Sequence, residues 1–465
     1  MGGYYLENFG CRATQADGAA IERDLIARGL ARTEADRAGI AVLNTCTVTT
    51  AADADARAAI RRIHRENPGC RILVTGCYAQ RAPEEIAQIP GVSWVVGNSH
   101  KAFVANIAFG DPVVELSSRR SVATEGFLLD SASPPANFVA LGQLTRNDPK
   151  MYVGDIFAHT ELLAAPVFEH GYGAARTRPN LKVQDGCDNR CSFCVIPYVR
   201  GQSRSLGLGE VLREVEELVR VGYREVVLSG INLGRWGRDL GAPMRFEQLV
   251  SKILDRTSVE RLRISSVEPM DWSDELISLV ADSPRISKHA HVPMQSGSDR
   301  VLRRMHRKYR PWHYAEKITK IRAAMPDAAI GADVMTGFPG ETDELFEESR
   351  RFIEELPFTY LHVFTYSARP GTPAAKMKDQ VPGDVARERN RILRELASEK
   401  NRRFRESLVG KEIEAITLQP AENGHTVALS SNYLKIHIAG DHAANQLLQV
   451  RIDGLSHEGL TGHPA

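Results

Sequence analysis

The chain has 465 residues, 43% hydrophobic and 25% charged, a balance that excludes a disordered, collagen-like or membrane-spanning polypeptide and, at ~150 residues per domain, predicts about three domains. The 59 basic and 58 acidic side chains leave a net charge of +1, which excludes a globally basic nucleic-acid coat but not a local basic surface. Seven cysteines are too few, and odd, for a disulfide scaffold of this size, so any that cluster point to metal or redox chemistry in a reducing compartment.

The first residues, Met1 to Leu6, lack the basic patch and apolar core of a signal peptide and the Ser or Thr at position 6 of a myristoylation site. No apolar run reaches the ~20 residues of a bilayer span, and a cytoplasmic protein is expected. Residues 4–9 read as a strand, followed by a helix from about Gln15 to Arg28. Ile40–Leu43, Arg71–Val74 and Trp94–Val96 read as further strands, alternating with helices over Thr50–Asn67 and Pro83–Ile89. This alternation predicts an α/β domain over 1–115 built on an open parallel sheet. From about 116 to 180 the pattern fades among Ser- and Pro-rich stretches, so 116–172 is expected to be a linker or insertion.

Regularity returns at Leu181. Strands are predicted at Leu181–Gln184, Glu225–Ser229, Arg261–Ser265, His289–Pro293, Ile330–Thr336 and Tyr360–Thr365, with helices over 208–221, 245–256, 273–280, 298–323 and 342–355. Six strand-then-helix units fit a partial (β/α)6 barrel over 173–406 that ends in a long charged helix, Asp384–Glu406. Short alternating strands from Lys411 to Ile452 predict a small all-β, OB-like barrel over 407–465, with the last strand unresolved where the chain runs out at Gly462-His-Pro-Ala.

Cys187-Asp-Asn-Arg-Cys191-Ser-Phe-Cys194 follows the first barrel strand, so its three thiols lie on a loop at the mouth where barrel active sites assemble. Three protein ligands on a cubane cluster leave the fourth iron open to a substrate or cofactor. A structural zinc knuckle is the competing reading, but zinc prefers paired Cys-x2-Cys knuckles closed by four ligands, and no second knuckle is present. Cys11, Cys46 and Cys77 each stand at a strand-to-turn junction of the first domain. Loops after successive parallel strands gather on one sheet edge, so these three can meet, with Gly10 and Gly76 permitting close backbone approach; inert core cysteines are the alternative. Cys70 precedes a strand and reads as a free structural thiol.

The CxxxCxxC spacing after a first barrel strand is similar to the radical S-adenosylmethionine (SAM) enzymes. With Asn8-Phe-Gly10-Cys11, Asn44-Thr-Cys46-Thr-Val-Thr49 and Thr75-Gly76-Cys77-Tyr-Ala-Gln80, the chain resembles the methylthiotransferase family. Within it, the chain most resembles the branch acting on tRNA threonylcarbamoyladenosine, rather than those acting on isopentenyladenosine or on an aspartate of ribosomal protein S12. The resemblance implies a TRAM domain at the carboxyl end and two 4Fe-4S clusters: Cys187, Cys191 and Cys194 as catalytic ligands of the radical SAM cluster, and Cys11, Cys46 and Cys77 as ligands of an auxiliary cluster. The implied reaction replaces C2–H of N6-threonylcarbamoyladenosine at tRNA position 37 by S–CH3, one SAM methylating sulfur and a second providing the radical. It also implies tRNA, a reducing donor such as flavodoxin or ferredoxin, and a sulfur source as partners, with no membrane.

On the barrel rim, Ser229 and Gly230, Ser266 and Glu268, Gln295 and Gly340 follow successive strands. By chemistry and by resemblance these are SAM contacts, although each is also compatible with turn chemistry or a helix cap. Arg300 to Arg310 carries six Arg or Lys and no acid, with Tyr309, Trp312 and Tyr314 nearby; this suits phosphate and base contacts, or a solvated helix face beside core aromatics. An RNA-binding iron–sulfur redox sensor without radical chemistry is the alternative of a different class.

Overall fold

The computed structural model describes residues 2–111, 150–158, 177–418, 424–457 and 459–465. In the first domain, β1 (Gly3–Asn8), β2 (Ala31–Arg32), β3 (Ile40–Thr45), β4 (Arg71–Gly76), β5 (Val92–Gly97) and β6 (Lys150–Tyr152) form one sheet in the order β2-β1-β3-β4-β5-β6. Every neighbouring pair is parallel. The sheet is covered on both faces, which is why β3 is a continuous buried run, Ile-Ala-Val-Leu-Asn-Thr. α1 (Arg12–Ala27) packs Ile21 and Leu25 with Tyr4, Leu6 and Val42 on one face. α2 (Thr50–Glu66) packs Ala56, Ile60 and Ile63 with Leu43 and Val74 on the other. The strand order reverses between β1 and β3, so the loops leaving their carboxyl ends flank a switch-point crevice, the usual place for a ligand in such sheets.

β6 corrects the expected boundary. Lys150–Tyr152 pairs with β5, and Gly154 bonds to Gln80 and Ser99, so part of the expected linker belongs to the first sheet. Of the rest of the stretch 116–180, 153–158 and 177–180 are described and the remainder lies outside the described residues.

The second domain contains β7 (Asn180–Asp185), β8 (Arg204–Ser205), β9 (Glu225–Gly230), β10 (Arg261–Ile264), β11 (His289–His291), β12 (Ala329–Thr336) and β13 (Tyr360–Thr365). β7, β9 and β10 are parallel neighbours, as are β11, β12 and β13, and a Ser266–His291 bridge joins the two groups. The result is an incomplete barrel of six parallel strands, with β8 antiparallel at the open edge. The helix expected over 298–323 is two, Asp299–Arg304 and Pro311–Ala324. His306 takes a left-handed φ of 57° between them, and Pro311 can start a helix but not continue one.

α1 packs along β7 and β9 at the barrel's open side, and the junction is sealed by buried charge. Asp17 of α1 pairs with Lys101 (2.8 Å), with Arg200 (3.1 Å) and closely with Lys182 of β7. Lys182 and Arg200 also hold Asp185, at 3.0 and 2.9 Å. Nearby, Arg369 from beyond β13 donates to Thr47 (2.8 Å) and Thr50 (3.1 Å) and pairs with Asp53, which Arg81 also holds at 2.9 Å. Removing one member of such a buried set costs about 3–5 kcal/mol, because the partner charge is stranded. The two domains are therefore fixed to one another at the segments that follow Cys11 and Cys46.

The carboxyl-terminal domain is a closed barrel, β14 (Glu412–Thr417), β15 (His425–Ser430), β16 (Lys435–Ala439), β17 (Leu447–Leu455) and β18 (Leu460–Pro464), in the order β14-β15-β16-β18-β17. The strand left unresolved by sequence is β18, which closes the barrel by pairing parallel to β16 and antiparallel to β17. This domain covers the amino-terminal end of the larger barrel. Glu414 pairs with Arg261, the Ser430 carbonyl accepts from Arg263 at 3.0 Å, and the Tyr433 ring lies 4.7 Å from that of His289.

Gly76, which ends β4, has φ of 101°, and a Cβ there would lie 2.3 Å from the Thr45 carbonyl oxygen. The close approach is thus to the neighbouring strand. Gly76→Ala is expected to cost about 1–3 kcal/mol through strain and overpacking, measured as a lower urea midpoint.

Candidate active site

The Cys187–Cys194 loop leaves the carboxyl end of β7. It is held by Ser192, fully buried, whose N–H donates to the Met305 carbonyl (3.0 Å) and whose hydroxyl donates to that of Arg304 (2.7 Å), while its own carbonyl accepts from Ala374 (2.8 Å). The Cys187 sulfur accepts from the Asn189 N–H (3.4 Å) and Asn232 Nδ2 (3.6 Å), and the Cys191 sulfur from Arg307 Nη1 (3.3 Å). Arg307 also pairs with Glu268 and lies over the Tyr309 ring. Burial pushes the Cys187 thiol up to about 11 and that of Cys194 up to about 12, with the neighbouring thiols adding to it. Metal coordination reverses this, since a bound thiol is deprotonated outright.

The three thiols open into a cavity of about 220 Å³ that is also lined by Asn232, Ser266, Glu268, Gln295, Arg307 and Asp333. Of the rim residues named from sequence, Ser266, Glu268 and Gln295 are therefore brought together there. Ser229, Gly230 and Gly340 do not line it. Ser229 is buried with its hydroxyl donating to the Leu181 carbonyl. Gly230 lies against Gln184, whose side-chain oxygen accepts from the Asn232 N–H at 2.7 Å; it supports the Asn232 loop from behind. Gly340 sits at φ 81° against the Arg304 guanidinium, just before Thr342, which caps the helix Asp343–Glu355. Here the turn-and-cap reading describes the geometry.

Asn232, Arg307 and Asp333 were not singled out as cofactor contacts. Asp333 carried a signal, a lone acid in the apolar strand Ala-Ile-Gly-Ala-Asp-Val-Met-Thr. Arg307 was grouped with a basic surface, and the structure corrects that grouping. Arg303 and Arg310 pair with Asp299, Arg304 pairs with Asp379, Arg307 turns inward, and Tyr309 and Tyr314 are core residues, leaving Arg300, Lys308 and Trp312 exposed.

The first-domain thiols also gather. Cys11 caps α1 at its amino-terminal end, Cys46 follows β3, and Cys77 opens the short helix Cys77–Arg81 after β4, all at the switch-point edge. Gly10, at φ 101°, backs directly onto Cys46, where a Cβ would lie 2.8 Å from its sulfur. Burial pushes the Cys46 thiol up to about 11, and the Cys77 and Cys11 thiols push in the same direction. Asn98 Nδ2 donates to the Cys77 sulfur (3.5 Å) and to the Val199 carbonyl (2.7 Å). Cys70 lies at the opposite end of β4, in the core.

The two thiol sets face a common junction. Cys77 packs on Val195 and Val199, just after Cys194. A second cavity of about 220 Å³ is walled by Val48 and Thr49 from the first domain and by Phe193, Cys194, Gln295, Met335, Phe364 and Tyr366 from the barrel. Phe193, Cys194, Ile196 and Gln295 separate it from the first cavity.

Residues 181–353 match the radical SAM superfamily, and residues 3–97 match the uncharacterized protein family UPF0004. The chain is 35% identical to the threonylcarbamoyladenosine tRNA methylthiotransferase MtaB of Aquifex aeolicus, over 96% of this chain and 99% of that protein. It is 37% identical to MtaB of Bacillus subtilis, over 96% and 93%. The chain belongs to the radical SAM methylthiotransferase family. A Clostridium novyi tRNA-2-methylthio-N(6)-dimethylallyladenosine synthase is 30% identical over 91% of this chain and 87% of that protein. The fold is shared with the radical SAM methyltransferase TsrM of Kitasatospora setae, at a TM-score of 0.53 and 15% identity over 80% of this chain and 77% of that one.

As a member of this family the methylthiotransferase uses SAM and two 4Fe-4S clusters, and its residues fit them. Among the described residues, no three Cys, His, Asp or Glu side chains stand close enough to share a single metal ion. A tetrahedral zinc site needs that closeness, with Zn–S of ~2.3 Å, whereas thiolates on a cubane bind separate irons and stand further apart. In the first cavity, Gln295 Oε1 and Asn232 Oδ1 are buried and, among the described residues, have no partner, and Gln295 holds a left-handed φ of 65°. Strain and unsatisfied acceptors at one site mark a place shaped for a polar ligand.

Proposed function

We propose that this enzyme replaces C2–H of N6-threonylcarbamoyladenosine at position 37 of tRNA with a methylthio group. The observation that carries the reading is the convergence of two thiol sets on one domain junction, where Cys77 packs on Val195 and Val199 and an apolar cavity is walled by Cys194 and by Val48 and Thr49, which follow Cys46. In this reading Cys187, Cys191 and Cys194 hold the radical SAM cluster, and Cys11, Cys46 and Cys77 hold the auxiliary cluster. Asn232, Ser266, Glu268, Gln295 and Asp333 orient SAM, while Ser229, Gly230 and Gly340 support the surrounding loops. When bound, these groups supply a reducing electron, a 5′-deoxyadenosyl radical able to take hydrogen from an unactivated aromatic carbon, and a methylated sulfur. Phe193, Met335, Phe364 and Tyr366 exclude water and flank the base.

The threonylcarbamoyl substrate rests on the names of the Aquifex and Bacillus relatives, at 35 and 37% identity, against 30 and 32% for two dimethylallyladenosine synthases. Residues 1–115 with Lys150–Tyr152 are assigned to the auxiliary-cluster domain, 173–406 to the radical SAM domain, and 407–465 to a tRNA-contacting TRAM domain. A flavodoxin or ferredoxin as reductant, a separate sulfur source and a cytoplasmic location complete the proposal. No helix among the described residues is long and apolar enough to cross a membrane.

Mass spectrometry of tRNA nucleosides from a deletion strain is expected to show 2-methylthio-N6-threonylcarbamoyladenosine replaced by its unthiolated precursor, with methylthio-isopentenyladenosine untouched. An unchanged threonylcarbamoyl derivative would overturn the substrate assignment.

A further inference from the structure

We propose that Arg200, supplied by the barrel domain, donates a hydrogen bond from Nε to the anionic group held by Cys11, Cys46 and Cys77, and thereby raises that group's reduction potential. This rests on the two-cluster reading above. Arg200 follows the Cys187–Cys194 loop and ends the short helix Ile196–Arg200. Its Nη1 spans both carboxylate oxygens of Asp185 (2.9 and 3.0 Å), and its Nη2 reaches Asp17 (3.1 Å) and the Thr14 hydroxyl (3.5 Å). Nε is buried and, among the described residues, has no acceptor. A buried donor of a charged group left without an acceptor is costly, an arrangement that makes sense if the acceptor belongs to the loaded site.

The surroundings say which acceptor. Thr14, touched by Nη2, lies 3.5 Å from the Cys11 sulfur, and the next residue back in the chain, Val199, is tied through Asn98 to Cys77. Burial opposes the charge of Arg200, but Asp185, Cys77, Asp17 and Cys11 together hold it firmly protonated. Lys101, Lys182 and Arg200 are three cations against the two carboxylates Asp17 and Asp185, and Arg204 faces Asp185 as well. The buried set therefore carries excess positive charge beside three thiols, and a thiolate or cluster sulfide satisfies both the charge and the orphaned N–H. Hydrogen bonds to the sulfurs are among the factors that set an iron–sulfur potential. Because the donor comes from the other domain, the auxiliary site is electrostatically complete only when the domains are docked.

The test uses the full-length chain carrying Cys187→Ala, Cys191→Ala and Cys194→Ala, so that the auxiliary cluster is observed alone after anaerobic loading with iron and sulfide. Adding Arg200→Gln is expected to leave about four irons per chain while making reduction roughly tenfold less favourable, ~59 mV for one electron, in a titration followed by electron paramagnetic resonance. Arg200→Lys, which keeps the charge without the Nε donor, is expected to fall between the two. Should Arg200→Gln fold poorly, Arg200→Gln with Asp185→Asn removes one charge of each sign, keeps the net charge of the set and loses the Nε donor, and is expected to show the intermediate drop of Arg200→Lys. An unchanged potential with four irons present overturns the role of Arg200 and leaves the cluster assignment standing. A background that binds no iron overturns the two-cluster reading itself, and Arg200's role with it.

Discussion

Cys191→Ala is expected to abolish SAM cleavage. Cys191 is the middle thiol of the barrel loop, and its sulfur is the one that receives Arg307, which in turn pairs with Glu268 in the cavity wall. The loop around it is anchored through the Ser192 backbone and hydroxyl rather than through the cysteine side chain, so the loop should keep its path while the remaining two thiols fail to retain a cubane. Reconstituted enzyme with SAM and a strong reductant should yield 5′-deoxyadenosine at background level. Iron should fall from about eight to about four per chain. Product at the parent rate would remove Cys191 from the ligand set, and product-free parent enzyme with both clusters intact would favour a redox sensor over a radical enzyme.

Cys46→Ala should separate the two halves of the reaction. Cys46 is buried at the carboxyl end of β3, and the Thr47–Thr50 segment after it is fixed by Arg369, Arg81 and Asp53. Loss of one sulfur atom in a segment so firmly held should spare the domain junction and the first cavity. SAM cleavage is therefore expected to persist near the parent level, with iron again near four per chain, while no methylthio nucleoside forms on substrate tRNA. Normal methylthio product would refute the auxiliary role of Cys46; loss of both activities would show that the two sites are not separable.

The barrel was legible because its strands, β13 apart, are buried on both faces. Runs such as Glu225–Gly230 and Ala329–Thr336 stand out as apolar blocks between amphipathic helices. Cys11, Cys46, Cys77 and Cys187 could be placed for the same reason, since each follows a recognisable strand by one to three residues. What pattern could not show was side-chain direction within a basic segment. Arg300–Arg310 reads as one helix with a charged face, but the positive φ at His306 turns Arg307 towards Glu268, 39 residues earlier in the chain. Gly340 illustrates the limit of reading a glycine by its place alone. A glycine on the rim of an active barrel suggested cofactor approach, whereas its backbone serves the turn into the next helix. The Asp17–Lys182–Arg200 set lay beyond reach as well, because its members come from two domains and only docking joins them.

The carboxyl-terminal barrel does more than extend the molecule. Tyr433 reaches under β11, where His289 and His291 share the Tyr360 hydroxyl and His291 in turn meets Asp333 in the wall of the reaction chamber. The last fifty-odd residues are thus joined to the chamber wall through one line of aromatic and polar side chains. A truncation made to probe nucleic-acid affinity would at the same time uncover His289 and the side chains that back Asp333, so that a loss of turnover in such a variant reports on the barrel's support as much as on tRNA capture.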